Sequence, residues 1–291
     1  MEDMATVTRT LSKNEARIIL NLEWQGQKTV TLGQLRQMLG ASDNYARYMA
    51  HRLVQKGWLE RLRPGLYQLV PSDRGEEGIA DSNPLAAGAA LVEPYFFSFG
   101  TACTYHGFTD QVFTEVYIAC TEQRRPEIIR GKQYVFVTMP PEHFFGFESV
   151  TILGQPVRMA VKERALLDAI DRPRFAGGIG EVSLIVARSP MRISWEGLVQ
   201  FASLWRSSAL VQRLGFFLDL HGIVIPEDVR SVLISLIRPR SKIQLGPRRK
   251  WGASGRLARP WNVIQNVPDE VLLPRGEVSG RIPFHPRTRP E

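Results

Sequence analysis

In three stretches between Ser12 and Lys56 the apolar positions recur every three or four places, the spacing of helices that each bury one face. Ser12-Lys13-Asn14-Glu15 opens the first, because a serine with glutamate three places on can satisfy two orphan N–H groups of a first helical turn. Ala16, Ile19 and Leu22, joined by Ile18 and Leu20, make its stripe, which ends near Trp24-Gln25-Gly26. Val30 is expected to pair briefly with a later strand, Thr31 to cap a second helix over Leu32 to Leu39, and Gly40 to close it. In the third helix, from Asp43 to Lys56, Ala46, Met49, Ala50 and Leu53 share a face, while Asn44, Tyr45, Arg47, Tyr48, His51 and Arg52 fall on the other sides. Gly57 stops it, and the strand-like runs Trp58 to Leu62 and Leu66 to Val70 flank the turn signal Arg63-Pro64-Gly65.

Three helices and a hairpin in this order predict a winged helix-turn-helix over residues 1–70, with Met1 to Leu11 as a loose leader. Its third helix suits a DNA groove, since Arg and Asn make paired hydrogen bonds to guanine and adenine edges and the wing residues Arg61 and Arg63 can meet phosphate. The candidate DNA contacts are therefore Asn44, Tyr45, Arg47, Tyr48, His51, Arg52, Arg61 and Arg63. The same polar face also fits a solvated surface or a protein-docking module, and the pattern alone leaves these open.

Residues 71–84 change character. Ser-Asp-Arg-Gly-Glu-Glu-Gly and Asp-Ser-Asn-Pro are polar turn formers without periodicity, so a linker about which two domains reorient is expected. Residues 85–237 then read as an α+β domain. An alanine-rich helix over Pro84 to Val92 and a helical turn over Thr101 to His106 come first. Strands over Phe113 to Cys120 and Gln133 to Thr138 follow, with a hairpin over Ser149 to Ala160 turning at Leu153-Gly154, all in one mixed sheet. The period then becomes helical over Val161–Ile170, Ile179–Ala187, Ser194–Ser203, Ser207–His221 and Asp228–Ile237.

Composition adds a partner class. The formal net charge is +8 over 291 residues, which favours polyanions such as nucleic acid, and 44% apolar residues can support a core. Much of that charge lies late in the chain. From Arg230 to Arg259 there is no Asp or Glu, the first acid being Asp269, and Trp251 and Trp261 are interleaved. Residues 238–291 thus read as a basic extension whose end, Pro274 to Glu291, is expected to be disordered. Arg238, Arg240, Lys242, Arg248, Arg249, Lys250 and Trp251 suit a second nucleic-acid surface, a docking face for an acidic partner, or a solvated tail; all three stand. Two cysteines, Cys103 and Cys120, are too few for a disulfide framework, and no secretory leader or apolar run of about 18 residues appears, so the expected compartment is the cytosol.

No catalytic, metal or cofactor site is expected. Lys162-Glu163-Arg164 with Asp168 is the densest constellation, and Arg164 and Asp168 stand one turn apart on a helix, where pairing is the simpler reading than acid-base chemistry. Glu115 and Glu148 lack the Glu-x-Lys companion that a nuclease needs. Phe175-Ala176-Gly177-Gly178-Ile179-Gly180 lacks the lysine of a phosphate loop. The five histidines, His51, His106, His143, His221 and His285, are scattered, and Cys103 has only His106 nearby, which favours a buried thiol over a nucleophile.

The order of segments resembles a known family. A winged helix ending in RPGLYQLV, then PYFFSFGTACTYHGFTDQVFTEVYIA, VRMAVKERALLDAID and LVQRLGFFLDLHGI, is similar to the AbiEi-type antitoxins and transcriptional regulators of type IV toxin–antitoxin systems, from Ser12 to about Ile237. The resemblance implies an N-terminal domain that represses its own operon by binding an operator with inverted repeats in double-stranded DNA. It also implies a C-terminal domain that counteracts a nucleotidyltransferase-like toxin; no membrane partner is expected, from the lack of a long apolar run. The tail after Ile237 departs from the family pattern. An enzyme that processes nucleic acid, or a defence component delivered by the winged helix, is the alternative.

Overall fold

The computed structural model describes residues 9–74 and 83–273, and these contain both helices and sheets, an α+β class. The chain divides into two compact units, one of residues 1–96, 114–138 and 149–159, the other of 97–113, 139–148 and 160–291. This division runs across the boundaries expected at 70, 84 and 237. Residues 75–82 of the expected linker and 274–291 of the expected disordered end lie outside the described residues.

The first unit begins with α1 (Lys13–Trp24), whose first turn is fixed by the Ser12 N–H donating to the Glu15 carboxylate at 2.7 Å. Ile18, Ile19 and Leu22 are buried, but Leu20 is 63% exposed, because two residues along a helix turn a side chain about 200° from its neighbour. β1 (Thr29–Thr31) leads directly into α2 (Leu32–Leu39). Thr31 Oγ1 accepts from the Gln34 N–H at 3.2 Å, the Gln34 side chain accepts from the Thr31 N–H at 2.8 Å, and Gly40 ends the helix at φ 61°. α3 (Asp43–Gln55) is capped by Ser42 Oγ, and β2 (Leu59–Arg63) and β3 (Leu66–Leu69) form an antiparallel hairpin about Pro64-Gly65. β1 adds antiparallel to β3 with Val30 opposite Tyr67, so three helices close over a three-stranded sheet. The core is Ile18, Ile19, Leu22, Val30, Leu35, Ala46, Met49, Ala50 and Leu53 with Leu59 and Leu69.

Glu15 does more than cap. Its side chain is fully buried, with Arg52 Nε at 3.0 Å and Lys56 Nζ at 2.6 Å, which pins α1 to α3. Burial pushes its carboxyl upward, but the hydrogen bonds from Lys56 and Ser12 and the Lys56 charge outweigh that and hold it at about 2, against an ordinary 4.5. A depressed carboxylate stabilises the fold fully above about pH 4.5, and that stabilisation is lost as the pH falls toward about 2. Glu15→Gln is therefore expected to cost about 2 kcal/mol at neutral pH, by leaving two cations on a buried amide, and to flatten the acid limb of a melting-temperature profile. A profile in Glu15→Gln as steep as in the parent chain would exclude this role.

From Asn83, whose side chain accepts from the N–H groups of Leu85 and Ala86, the chain runs through α4 (Pro84–Ala89), β4 (Tyr95–Phe97) and α5 (Phe99–Tyr105). β5 (Glu115–Cys120), β6 (Glu127–Ile129), β7 (Lys132–Thr138), β8 (Phe147–Ile152) and β9 (Gln155–Ala160) complete a sheet of order β6-β7-β5-β4-β9-β8. β5 and β7 are parallel, with Ile118 opposite Phe136, while β6 runs antiparallel to β7, so the sheet is mixed. The β8–β9 turn uses Leu153 at φ 50° and Gly154 at φ 74°, the left-handed pair that a two-residue hairpin favours. Within the first unit two polar links join the early residues to later segments: Arg130 donates to the Gln68 side chain of β3 at 2.9 Å, and the Gln155 side chain accepts from the Lys28 N–H, just before β1, at 2.9 Å.

The second unit is mainly helical: α6 (Lys162–Asp171), α7 (Ile179–Arg188), α8 (Trp195–Trp205), α9 (Ser208–Leu220) and α10 (Glu227–Ser235). Where a basic extension was expected, residues 238–273 carry β10 (Ile243–Gln244), α11 (Arg248–Trp251), β11 (Arg256–Ala258), β12 (Val263–Gln265) and α12 (Asp269–Leu272). Its three strands make a sheet of order β10-β12-β11, and Leu245, Trp261, Val263, Val267 and Leu272 are buried. Arg164 and Asp168 of α6 meet at 2.9 Å with both side chains fully buried. The Arg164 guanidinium also donates to the carbonyls of His143 (2.8 Å) and Phe145 (3.0 Å) and lies 4.2 Å from the Trp205 ring centroid, and the Ser98 hydroxyl donates to Asp168. A pair so enclosed orders the α5–α6 core rather than facing a substrate.

Candidate nucleic-acid interface

The helical period of α3 separates two chemistries. Ala46, Met49, Ala50 and Leu53 are buried against α1 and α2, which leaves Asn44, Tyr45, Arg47, Tyr48 and His51 exposed on the outer side. The Tyr45 and Tyr48 rings lie 6.2 Å apart at 35°, and the Tyr45 hydroxyl accepts from the Asn14 amide at 3.2 Å, so both rings have defined positions. Toward the end of α3 a groove of about 530 Å³ opens against the hairpin. Arg47, His51 and Arg61 stand around it, and Leu32, Val54, Pro64 and Tyr67 supply apolar lining. Arg61 is exposed on β2, opposite Tyr67 in the sheet register.

Two expected contacts are placed differently. Arg63 Nε lies 3.1 Å from the Glu127 carboxylate, which also takes Arg124 at 3.0 Å, so its charge is already matched within the protein. Arg52 is divided: its Nε holds Glu15, and another guanidinium N–H donates to the Tyr48 hydroxyl at 3.1 Å. Arg52 thereby steadies the exposed ring while serving the core. Leu32, Pro64 and Tyr67, absent from the expected set, complete the groove. The hairpin register was the signal that could have placed Tyr67 beside Arg61.

Of the later basic residues, Arg238, Arg240 and Arg249 are exposed, whereas Lys242, Arg248, Lys250 and Trp251 line a separate cavity of the second unit. The remaining chemistry-bearing side chains do not gather. Cys103 is buried and its thiol is pushed up by burial; the Cys120 thiol is shifted the same way for the same reason. His106 Nε2 lies 2.7 Å from the Ala160 carbonyl and His221 Nε2 lies 2.8 Å from Ser183 Oγ, while His285 is outside the described residues. Among the described residues no three His, Cys, Asp or Glu side chains group as metal ligands, and no helix is long and apolar enough to cross a membrane.

The segment with this geometry is similar to a known family. Residues 17–70 match the family model of the transcriptional regulator, AbiEi antitoxin. The AbiEi match begins inside α1, takes in α2, α3 and the hairpin, and ends at Val70, so it contains every exposed residue of the groove. The similarity to that family is confined to residues 17–70. No curated protein matches the chain. Among solved structures, the chain is similar to that of the RV2827C protein from Mycobacterium tuberculosis, with TM-score 0.56 and 18% identity over 90% of this chain and 94% of that one. At that identity the likeness speaks to the fold alone.

Proposed function

We propose that this protein is a DNA-binding transcriptional repressor of its own operon and the antitoxin to a nucleotidyltransferase-like toxin encoded beside it. In this reading the first three helices and the hairpin are a winged helix-turn-helix, with α3 as recognition helix and β2–β3 as wing. The observation that carries it is the face of α3 in which Asn44, Tyr45, Arg47, Tyr48 and His51 stand exposed beside Arg61, inside the segment matched by a regulator family. A helix fits the major groove, about 12 Å wide, and side chains at its outer face then reach base edges. Arg47 and Asn44 have the donors for that. Arg61 on the hairpin is set to meet phosphate, and the two tyrosines supply rings for thymine methyls and sugar.

An operator with inverted repeats would take two copies, one per half-site, each placing α3 in successive major grooves. The antitoxin part of the proposal falls to the rest of the chain and places the protein in the cytoplasm with its DNA. A shift assay on the region upstream of the gene tests the repressor part: Arg47→Ala and Tyr48→Ala should each weaken specific binding by about tenfold, with melting unchanged. Normal binding by both variants would remove the recognition helix from α3. Co-expression with the product of the adjacent gene tests the antitoxin part, growth rescue being the expected result and unrelieved toxicity the contrary one.

A further inference from the structure

The second unit holds a cavity of about 870 Å³ that the repressor reading leaves unused. Its size lies in the range of small-molecule sites, roughly 300–1,000 Å³. Its lining is strongly one-signed. Arg172, Arg174, Arg213, Lys242, Arg248 and Lys250 surround it, and the acid among the lining residues is Asp171. Asp171 is already taken, 3.4 Å from Arg172.

Arg213 shows what this arrangement lacks. It projects from α9 with its Nε buried and without a hydrogen-bond partner, and burial pushes its guanidinium below the ordinary arginine range although Asp171 partly opposes this. A largely buried cation whose Nε has no hydrogen-bond partner, and which feels only the Asp171 carboxylate already paired with Arg172, is costly, and a bound anion would relieve it. Lys242 and Arg248, exposed at the rim, form no ion pair among the described residues. Gly178 and Ile179, where the ten-residue α7 starts without a side-chain cap, also line the cavity, so helical amide donors add to the positive field.

The aromatic side of the cavity is built with equal care. Asn266, buried, accepts from the Gly246 N–H at 2.9 Å and donates to the carbonyls of Gly246 (3.0 Å) and Gly252 (2.8 Å). That clamp fixes both ends of the segment bearing Arg248, Lys250 and Trp251. The Trp251 indole lies against Gly246 so closely that a Cβ there would come within 2.6 Å of the ring, and Lys250 Nζ sits 4.8 Å from its centroid. An indole beside several cations is the pairing that takes a base and its phosphates together.

We propose that this cavity is a binding site for a free nucleoside polyphosphate, whose phosphates are received by Arg213, Lys242 and Arg248 and whose base packs on Trp251. The inference does not rest on the repressor reading, since none of these residues belongs to α3 or the hairpin. The cations arrive from three separated parts of the chain and converge on a volume suited to one nucleotide, not on an extended track for a strand.

Calorimetric titration of the full chain with ATP, inorganic triphosphate and a short single-stranded oligonucleotide tests it. ATP should bind, and the double variant Lys242→Glu with Arg248→Glu, both at exposed positions, should weaken ATP and triphosphate at least about 30-fold. Trp251→Ala should weaken ATP about tenfold and leave triphosphate unchanged, while Arg47→Ala should alter neither. Thermal melts of each variant separate lost binding from lost folding, and Trp251→Phe, which keeps a ring, should restore most ATP affinity. Absence of ATP binding at about 1 mM by the folded parent chain would overturn the proposal. So would ATP binding indifferent to the double variant and Trp251→Ala, or an oligonucleotide that binds more tightly than ATP and displaces it.

Discussion

Trp261→Ala is expected to lower the stability of the second unit by about 3–5 kcal/mol, the cost of emptying a large buried aromatic site. Trp261 is 1% exposed and lies directly on α9 at Gly215, where an added Cβ would overlap the indole carbons. Its Nε1 donates to Asp219 at 2.6 Å, and Arg230 pairs with the same carboxylate at 2.5 Å. From the preceding turn of α9, Gln212 donates to the Trp261 carbonyl at 2.9 Å and to the Ser241 carbonyl at 3.1 Å. The ring and these bonds fasten residues 241–263 to one helix, so emptying the site should loosen the small sheet as a whole. Trp261→Phe should lose less, about 1–2 kcal/mol, because the apolar volume is mostly kept while Asp219 loses a donor. Urea unfolding followed by circular dichroism measures both. A Trp261→Ala midpoint within error of the parent would show that residues 241–263 are held some other way.

The largest effect on binding is expected from Arg47→Glu combined with Arg61→Glu. Removing a hydrogen-bonded pair with a base costs about 1–3 kcal/mol, removing a cation from a phosphate weakens binding to every sequence, and each new carboxylate repels the duplex. Together they should lower operator affinity at least about 1,000-fold and make its salt dependence shallower, by about 0.9 for each phosphate no longer neutralised. Arg63→Ala is the contrasting case. It removes the same formal charge as Arg61→Ala from the same strand, yet Arg63 is matched by Glu127, so operator affinity should change no more than about twofold. If Arg63→Ala weakened binding as much as Arg61→Ala, net charge and not geometry would be governing the interaction.

The contrast between Arg61 and Arg63 also marks how far the sequence could be read. α1, α2, α3 and the hairpin were legible because their signals are local: Ser12 with Glu15, Thr31 with Gln34, Gly40 and Gly57 at helix ends, Pro64-Gly65 in the turn. The exposed side of α3 follows from the same period. What Arg63 and Arg52 do depends on Glu127 and Glu15, partners brought close only by the fold, and no local pattern carries that. β4 and β6, three residues each, are too short for alternation to show. Residues 238–273 read as a tail because Leu245, Trp261, Val263, Val267 and Leu272 have no shared period, and their order comes from packing on α9 and α7. The cavity beside Trp251 was illegible for a related reason, its cations being drawn from three separated segments, the α6–α7 connection, α9 and residues 242–250.

The central claim, that the exposed side of α3 lies in a duplex groove, is tested most directly by chemistry delivered from that side. Asn44→Cys offers one exposed thiol on α3, whereas Cys103 and Cys120 are buried, so an iron chelate can be attached there selectively. On operator DNA, strand cleavage should be confined to one major-groove cluster in each half-site, and Arg47→Glu in the same chain should abolish it. Cleavage spread evenly along the duplex, or none above that of the free chelate while the protein remains bound, would contradict the account.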